Sequence, residues 1–280
     1  MRIYSTLLIS WTLISSLSAC GPSSKPELPS SETTRITVTG SSTIAPLAAE
    51  LAKKFETEHP EFRIDVQTGG SSRGISDVRS SIAHIGMVSR ALYESESDLN
   101  HHLIARDGVT IIAHGKNPVK NLSRQQIIDI YTGKIRNWSM VGGDDKPVTV
   151  VHKAEGRSTL EVFLAYTKLK NTQIKADSII GDNQQGLKLV ANNPNAIAYV
   201  SIGAAEYDAA HGLSIKLIDL DGIEASTQNV RNGRFPITRD LNFVTKGNPS
   251  EATQRFLEFA VREYNQNIVE GLGFVAADAP

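Results

Sequence analysis

The residues in this chain best suited to chemistry are hydroxyls and cations placed beside glycine. Gly40-Ser41-Ser42-Thr43, Gly69-Gly70-Ser71-Ser72-Arg73-Gly74 and Lys153-Ala154-Glu155-Gly156-Arg157-Ser158-Thr159 repeat one pattern. In each, a β-rich run ends, glycine turns the chain and a helical pattern begins. A helix N-terminus presents free backbone N–H groups and a partial positive charge, so it attracts anions. Ser and Thr hydroxyls add donors that also accept. Any one such turn by itself is better explained as ordinary N-capping, for which Ser and Thr are preferred. Three of them at the carboxyl ends of strands, where open α/β sheets bind ligands, point to one shared anion. Arg73, Arg90, Lys153 and Arg157 lie in or near these turns, with Arg90 following Ser89. A hydrogen bond to a charged group nets about 1.5–3 kcal/mol, whereas micromolar binding needs about 8 kcal/mol, so several turns must act together. The candidate ligand-binding residues are Ser42, Thr43, Ser71, Ser72, Ser89, Arg90, Lys153, Arg157, Ser158 and Thr159.

Other chemistries fit less well. Gly70-Ser71-Ser72-Arg73-Gly74 matches the G-x-S-x-G nucleophile elbow, so an exported serine hydrolase using Ser72 is an alternative class. Asp177 or Asp182 followed by His211 would complete the acid-then-histidine order, but neither lies in a signature of its own. The adjacent Arg73 and the sibling turns favour anion binding. None of the seven histidines has H-E-x-x-H spacing. One cysteine excludes an intramolecular disulfide, a four-thiolate zinc site and an iron–sulfur cluster. No catalytic residue, metal or cofactor is therefore expected. Trp138 reads as packing rather than a stacking platform, and Tyr131-Thr132-Gly133 as a helix end with a glycine cap.

These turns need elements to hold them. Ile36–Thr39 reads as a strand, and Ile44, Leu47, Ala48, Leu51, Ala52 and Phe55 mark one helix face with Pro46 in its first turn. Phe62–Val66 alternates as a strand, Ile75, Val78 and Ile82 mark a short helix, and Ile85–Val88 and Val109–Ile112 read as buried strands. Helices are expected over Ser123–Tyr131, Ser158–Lys168 and about Gly186–Ala191. Strands are expected over Val148–His152, Ile197–Ser201, Leu213–Leu220 and Phe243–Thr245, and one long helix from Glu251 to about Glu270. Alternating strands and helices imply an α/β fold with mainly parallel sheets. Breaks at His114–Pro118 and Phe235–Asp240 suggest a middle lobe over 115–238 and a discontinuous lobe over 35–114 plus 239–280.

The 280 residues are 40% hydrophobic and 21% charged, with a formal net charge of -1. That composition is globular, and no global field favours nucleic acid or an anionic membrane. Residues 1–20 read as an export signal: Arg2, then an apolar run from Ile3 to Leu17 that is short for a membrane span. Leu17-Ser18-Ala19-Cys20 resembles the bacterial lipobox, which implies diacylglyceryl attachment at Cys20 and stable anchoring outside the cytoplasmic membrane. Residues 21–34, rich in Pro and Ser, read as a tether.

Taken together, the motifs resemble the phosphate-binding proteins of bacterial phosphate ABC transporters, in the type II periplasmic binding-protein superfamily. The matching pieces are Gly40–Pro46, Gly70–Gly74, Ile85–Leu92, Glu155–Thr159, Asn195–Val200, Phe235–Arg239 and the tail Phe256–Phe274. The resemblance implies two α/β lobes with two hinge crossings, closing on inorganic phosphate or a related tetrahedral oxyanion. It implies a monomer that delivers its ligand to permease subunits. It assigns donation to Thr43 and Ser71 from one lobe and to Ser158 and Thr159 from the other. Lys153 stands where the family often has an Arg paired with an acid, here Glu155. The chain departs from the pattern twice. Arg157 replaces a hydroxyl donor of the third turn, and Ser89 stands where an Asp accepts the proton of hydrogen phosphate. Asp77 is the candidate substitute acceptor. An adhesion or signalling protein on the same fold is a further alternative, since fold does not fix function.

Overall fold

A computed structural model of the chain describes residues 33–262 and 265–277. The expected export signal, Cys20 and nearly all of the tether lie outside them. The first elements are β1 (Thr34–Gly40), α1 (Ala45–Glu58), β2 (Phe62–Thr68), α2 (Ser71–Arg79), β3 (Ile85–Val88) and β4 (Leu99–His114). Next come β5 (Asn121–Leu122), α3 (Arg124–Tyr131), β6 (Thr149–Lys153), α4 (Ser158–Thr167), β7 (Ser178–Ile180), α5 (Asn183–Asn192) and β8 (Ala196–Ser201). The chain continues through α6 (Ile202–Ala210), β9 (Ile215–Leu220), α7 (Thr227–Arg231), β10 (Thr238–Lys246), α8 (Glu251–Ala260), α9 (Gln266–Gly271) and β11 (Val275–Ala276).

The parallel pairs β2–β1–β3 and β8–β6–β7 are linked through helices, as parallel neighbours require. The α1 stripe of Leu47, Leu51 and Phe55 is buried, and the Phe55 ring meets Phe256 and Phe259 edge-on at 5.3 and 5.1 Å. With Ile36, Val38, Ile85, Met87 and Phe243 these form one core. A second core gathers Ile111, Tyr131, Trp138, Phe163, Tyr199 and Ile218. A third, on the opposite face of the same strands, gathers Ile112, Val151, Leu187, Ala198 and Val200. Ile111 and Ile112 go to different cores because side chains alternate along a strand. Burial on both faces is why β8 reads as a continuous apolar run.

Two long strands connect these regions. β4 pairs with β10 from Leu99 to Gly108, then with β8 and β9 from Val109 to His114. Both β4 and β10 run antiparallel to their neighbours, so the α/β sheet is mixed and less parallel than strand–helix alternation suggests. β4 also begins well before the expected Val109, because polar Asn100-His101-His102 masks its start. The tail is two helices rather than one: α8 ends at Ala260, and the buried Asn265, which precedes α9, donates through Nδ2 to the Phe259 carbonyl at 2.6 Å. Trp138 is buried, and its indole N–H donates to the Asn195 carbonyl at 2.9 Å, as packing predicts.

Candidate anion-binding site

Glycine brings the three turns together. Gly40 ends β1 at φ +130°, and a Cβ there would lie 2.4 Å from the Met87 carbonyl oxygen and 3.1 Å from Gly74 Cα. Gly70 precedes α2 at φ +95°, and a Cβ there would lie 2.5 Å from the Gly156 carbonyl oxygen. A side chain at either position would hold the turns apart. Between the second and third turns, the Ser72 amide donates to the Gly156 carbonyl at 3.4 Å.

Ser41 Oγ accepts the Thr43 amide at 3.2 Å and so caps the first turn, but the other hydroxyls of these turns are not caps. Ser123, Asp182, Ser201, Ser226 and Ser250 each accept a backbone N–H at the start of α3, α5, α6, α7 and α8. At α1, α2 and α4 the N-cap positions are Ile44, Gly70 and Arg157, none of which makes a side-chain cap hydrogen bond. Ser42, Thr43, Ser71, Ser89, Ser158 and Thr159 instead line one small cavity with Lys153 and Arg157. Ser158 Oγ is buried with no hydrogen-bond partner, which marks a polar site rather than a packed core.

Lys153 ends β6, where its amide donates to Tyr199 Oη at 3.1 Å, and the Tyr199 ring stacks on Phe163 with centroids 4.0 Å apart. Its ammonium donates to Asn183 Oδ1 at 2.9 Å. Burial, with the charges of Arg239 and Arg157 adding to it, lowers the Lys153 pKa to about 7. Arg239 carries the most connected cation beside the cavity. Its guanidinium donates to Thr159 Oγ1 at 3.0 Å, to Thr43 Oγ1 at 3.1 Å and, through Nε and Nη2, to Asp107 Oδ2 at 3.1 and 2.7 Å. Both side chains of the Arg239–Asp107 pair are almost wholly buried. Asn183 Nδ2 also donates to Thr43 Oγ1, at 3.1 Å.

Several expectations are corrected here. Arg90 does not line the cavity. Its guanidinium donates to both Glu96 oxygens at 2.7 and 2.9 Å, to Glu161 Oε2 on α4, and lies 3.9 Å over the Tyr93 ring. It faces a separate, wider cleft of about 530 Å³. Ser72 is exposed and outside the lining. Lys153 is not paired with Glu155, which accepts from Asn171 Nδ2 at 3.0 Å. Asp77 is not a substitute acceptor at the cavity, because Arg73, four residues along the same helix, holds it at 3.1 Å. The hydrolase reading finds no triad: Asp177 accepts the Val150 amide, Asp182 caps α5 and His211 contacts the Tyr207 carbonyl. Arg239, Asp107 and Asn183 were missed as site residues. Arg239 falls within the Phe235–Arg239 piece of the resemblance, which was the available signal; Asp107 and Asn183 carry none.

The chain matches the family described as a PBP superfamily domain over residues 28–263. It is 31% identical to the phosphate-binding protein PstS of Bacillus subtilis over 246 residues, which cover 86% of this chain and 80% of that protein. The chain belongs to the PstS family of the periplasmic binding-protein superfamily. Its α/β fold is that of the type II members. A solved structure from Clostridium perfringens, described as a phosphate ABC transporter substrate-binding protein with bound phosphate, superposes with a TM-score of 0.82. It shares 32% identity over 88% of this chain and all of that one. An ABC-type phosphate transport receptor from Vibrio cholerae gives a TM-score of 0.70 at 30% identity, over 86% of this chain and 99% of that one. The departures from the PstS pattern at Ser89 and Arg157 both lie in the cavity wall.

Proposed function

We propose that this protein is the substrate-binding subunit of an ABC importer, holding inorganic phosphate between two lobes and delivering it to a membrane permease. The observation that carries the reading is the convergence of three helix-start turns, through Ser42, Thr43, Ser71, Ser158 and Thr159, on one cavity shared with Lys153 and Arg157. The phosphate-binding relatives support the choice of ligand. The lobes are residues 35–114 with 239–280, and residues 115–238. Thr43, Ser71 and Ser89 belong to the first, and Lys153, Arg157, Ser158 and Thr159 to the second. Helix-start amides and hydroxyls supply neutral donors, and Lys153 and Arg157 supply charge. Closure joins the two sets and gives the permease a shape to recognise. Nothing in this scheme forms or breaks a covalent bond. Cys20 is the lipid anchor, so the monomer works at the outer side of the cell membrane or in the periplasm.

Calorimetric titration tests this reading. Thr159→Ala and Ser71→Ala should each weaken phosphate binding severalfold or more, in excess of the stability lost with the Arg239 and Ser89 hydrogen bonds these hydroxyls also accept. If both variants unfold readily while what stays folded binds normally, the turns are structural and the proposal fails.

A further inference from the structure

The third turn is tied to itself by one closed path of hydrogen bonds behind the cavity. The Lys153 amide donates to Tyr199 Oη at 3.1 Å. Tyr199 Oη lies 2.9 Å from His152 Nδ1, and His152 Nε2 lies 2.8 Å from Asn171 Oδ1. Asn171, in the single turn that follows α4, donates through Nδ2 to Glu155 Oε1 at 3.0 Å. The path thus leaves the third turn at Lys153 and returns to it at Glu155. Tyr199 and His152 are buried, and neither they nor Asn171 and Glu155 line the anion cavity.

The two ends fix every proton between them. A backbone N–H only donates and a carboxylate only accepts. Asn171 therefore turns its nitrogen to Glu155 and its oxygen to His152, which must present Nε2–H. His152 Nδ1 is then bare and accepts the Tyr199 hydroxyl hydrogen, while Tyr199 Oη accepts the Lys153 amide. Reversing one link would set two hydrogens or two lone pairs face to face. Burial lowers the His152 pKa, with the Asn171 hydrogen bond opposing, so the imidazole stays neutral above about pH 6.5, as the path requires.

We propose that Tyr199, His152, Asn171 and Glu155 form a positioning ring that sets the shape of the third turn and so places Lys153, Arg157, Ser158 and Thr159 for the anion. The inference rests on the phosphate reading above and adds to it residues that do not touch the ligand. A turn fixed beforehand need not be ordered by binding. A turn that is competent only part of the time weakens the apparent affinity by that fraction. The Tyr199 ring is itself held, stacked on Phe163 at 4.0 Å and 5.6 Å from the Tyr131 ring, so its hydroxyl is a rigid anchor for the Lys153 amide.

The test is calorimetry with inorganic phosphate on the purified full chain at pH 7.5, well below the melting temperature. Tyr199→Phe keeps the stacked ring and removes the hydroxyl, and its dissociation constant should rise severalfold to about tenfold. Glu155→Ala and Glu155→Gln both remove the charge, but only glutamine still accepts from Asn171. The alanine variant should bind phosphate at least about threefold more weakly than the glutamine variant. Equal affinities in that pair, or wild-type affinity in folded Tyr199→Phe, overturn the ring and leave the phosphate reading standing. A wild type that binds no phosphate removes both. The ring ¹⁵N shifts of His152, assigned by their loss in His152→Gln, should show a proton on Nε2 and a bare Nδ1, and a proton on Nδ1 overturns the inference whatever the affinities. Should Tyr199→Phe not fold, the Glu155 pair and the His152 shifts decide.

Discussion

Burial holds the Lys153 ammonium down to about 7, with Arg239 and Arg157 pushing the same way and Asp182 opposing. An unfolded lysine titrates near 10.4. Between about pH 7 and 10.4 the unfolded chain therefore binds more protons here than the folded one, and stability rises with pH through that window. Below about 7 both states are charged and the full cost of burying the ammonium is present. The slope from this one group is at most about 1.4 kcal/mol per pH unit. Lys153→Met removes it. The unliganded melting temperature of the wild type should thus gain on that of Lys153→Met between pH 7 and 9, and a constant difference across that range would sink the assignment. An anion beside Lys153 favours its charged form, so ligand binding relieves the same cost. Of the residue-level site, the serines, threonines, Lys153 and Arg157 were legible because glycine and helix patterning flanked them. Arg239 has no such flanking pattern and only its place in the Phe235–Arg239 piece marks it: it lies at the start of β10, and folding brings it 3.1 Å from Thr43.

The elements were legible where apolar spacing was regular. The faces of α1 and β3 could be read from Leu47, Leu51, Phe55 and Ile85–Val88. β5, β7 and β11 are too short to carry a period, and polar residues hid the ends of β4 and β10. What sequence patterning could not give is the reason α1, α2 and β3 approach so closely. Gly40 and Gly74 pack backbone on backbone, and a Cβ on Gly74 would lie 2.8 Å from the Thr39 carbonyl oxygen. Gly40→Ala adds a left-handed backbone penalty to a clash with Met87. Such strain costs about 1–3 kcal/mol before the clash. We predict a loss of at least about 2 kcal/mol in urea unfolding, with phosphate binding impaired beyond the stability loss because the first turn is displaced. Wild-type stability in Gly40→Ala would show that the close approach is not needed.

At the scale of the whole molecule, two sets of side-chain contacts between the proposed lobes bear on the third turn. One lies in the cavity wall: Asn183 with Thr43, and Arg239 with Thr159. The other stands apart from it. Glu161 on α4 accepts from Arg90 and from Tyr93 Oη at 3.1 Å, while Glu96 holds the rest of the Arg90 guanidinium. Because Ser158 and Thr159 begin the same helix, whatever fixes Glu161 also fixes the third turn against the first two. Such a contact acts on closure without touching ligand, and a change in closure appears mainly in the dissociation rate. Glu161→Gln keeps the size of the side chain and weakens the pairing with Arg90, which retains Glu96. Phosphate release from Glu161→Gln should speed up roughly tenfold, the equivalent of about 1.4 kcal/mol, with association little changed. Stopped-flow displacement measures both rates. Release at the wild-type rate would mean that the Arg90–Glu161 pair does not hold the closed form and only packs the rim of the wider cleft.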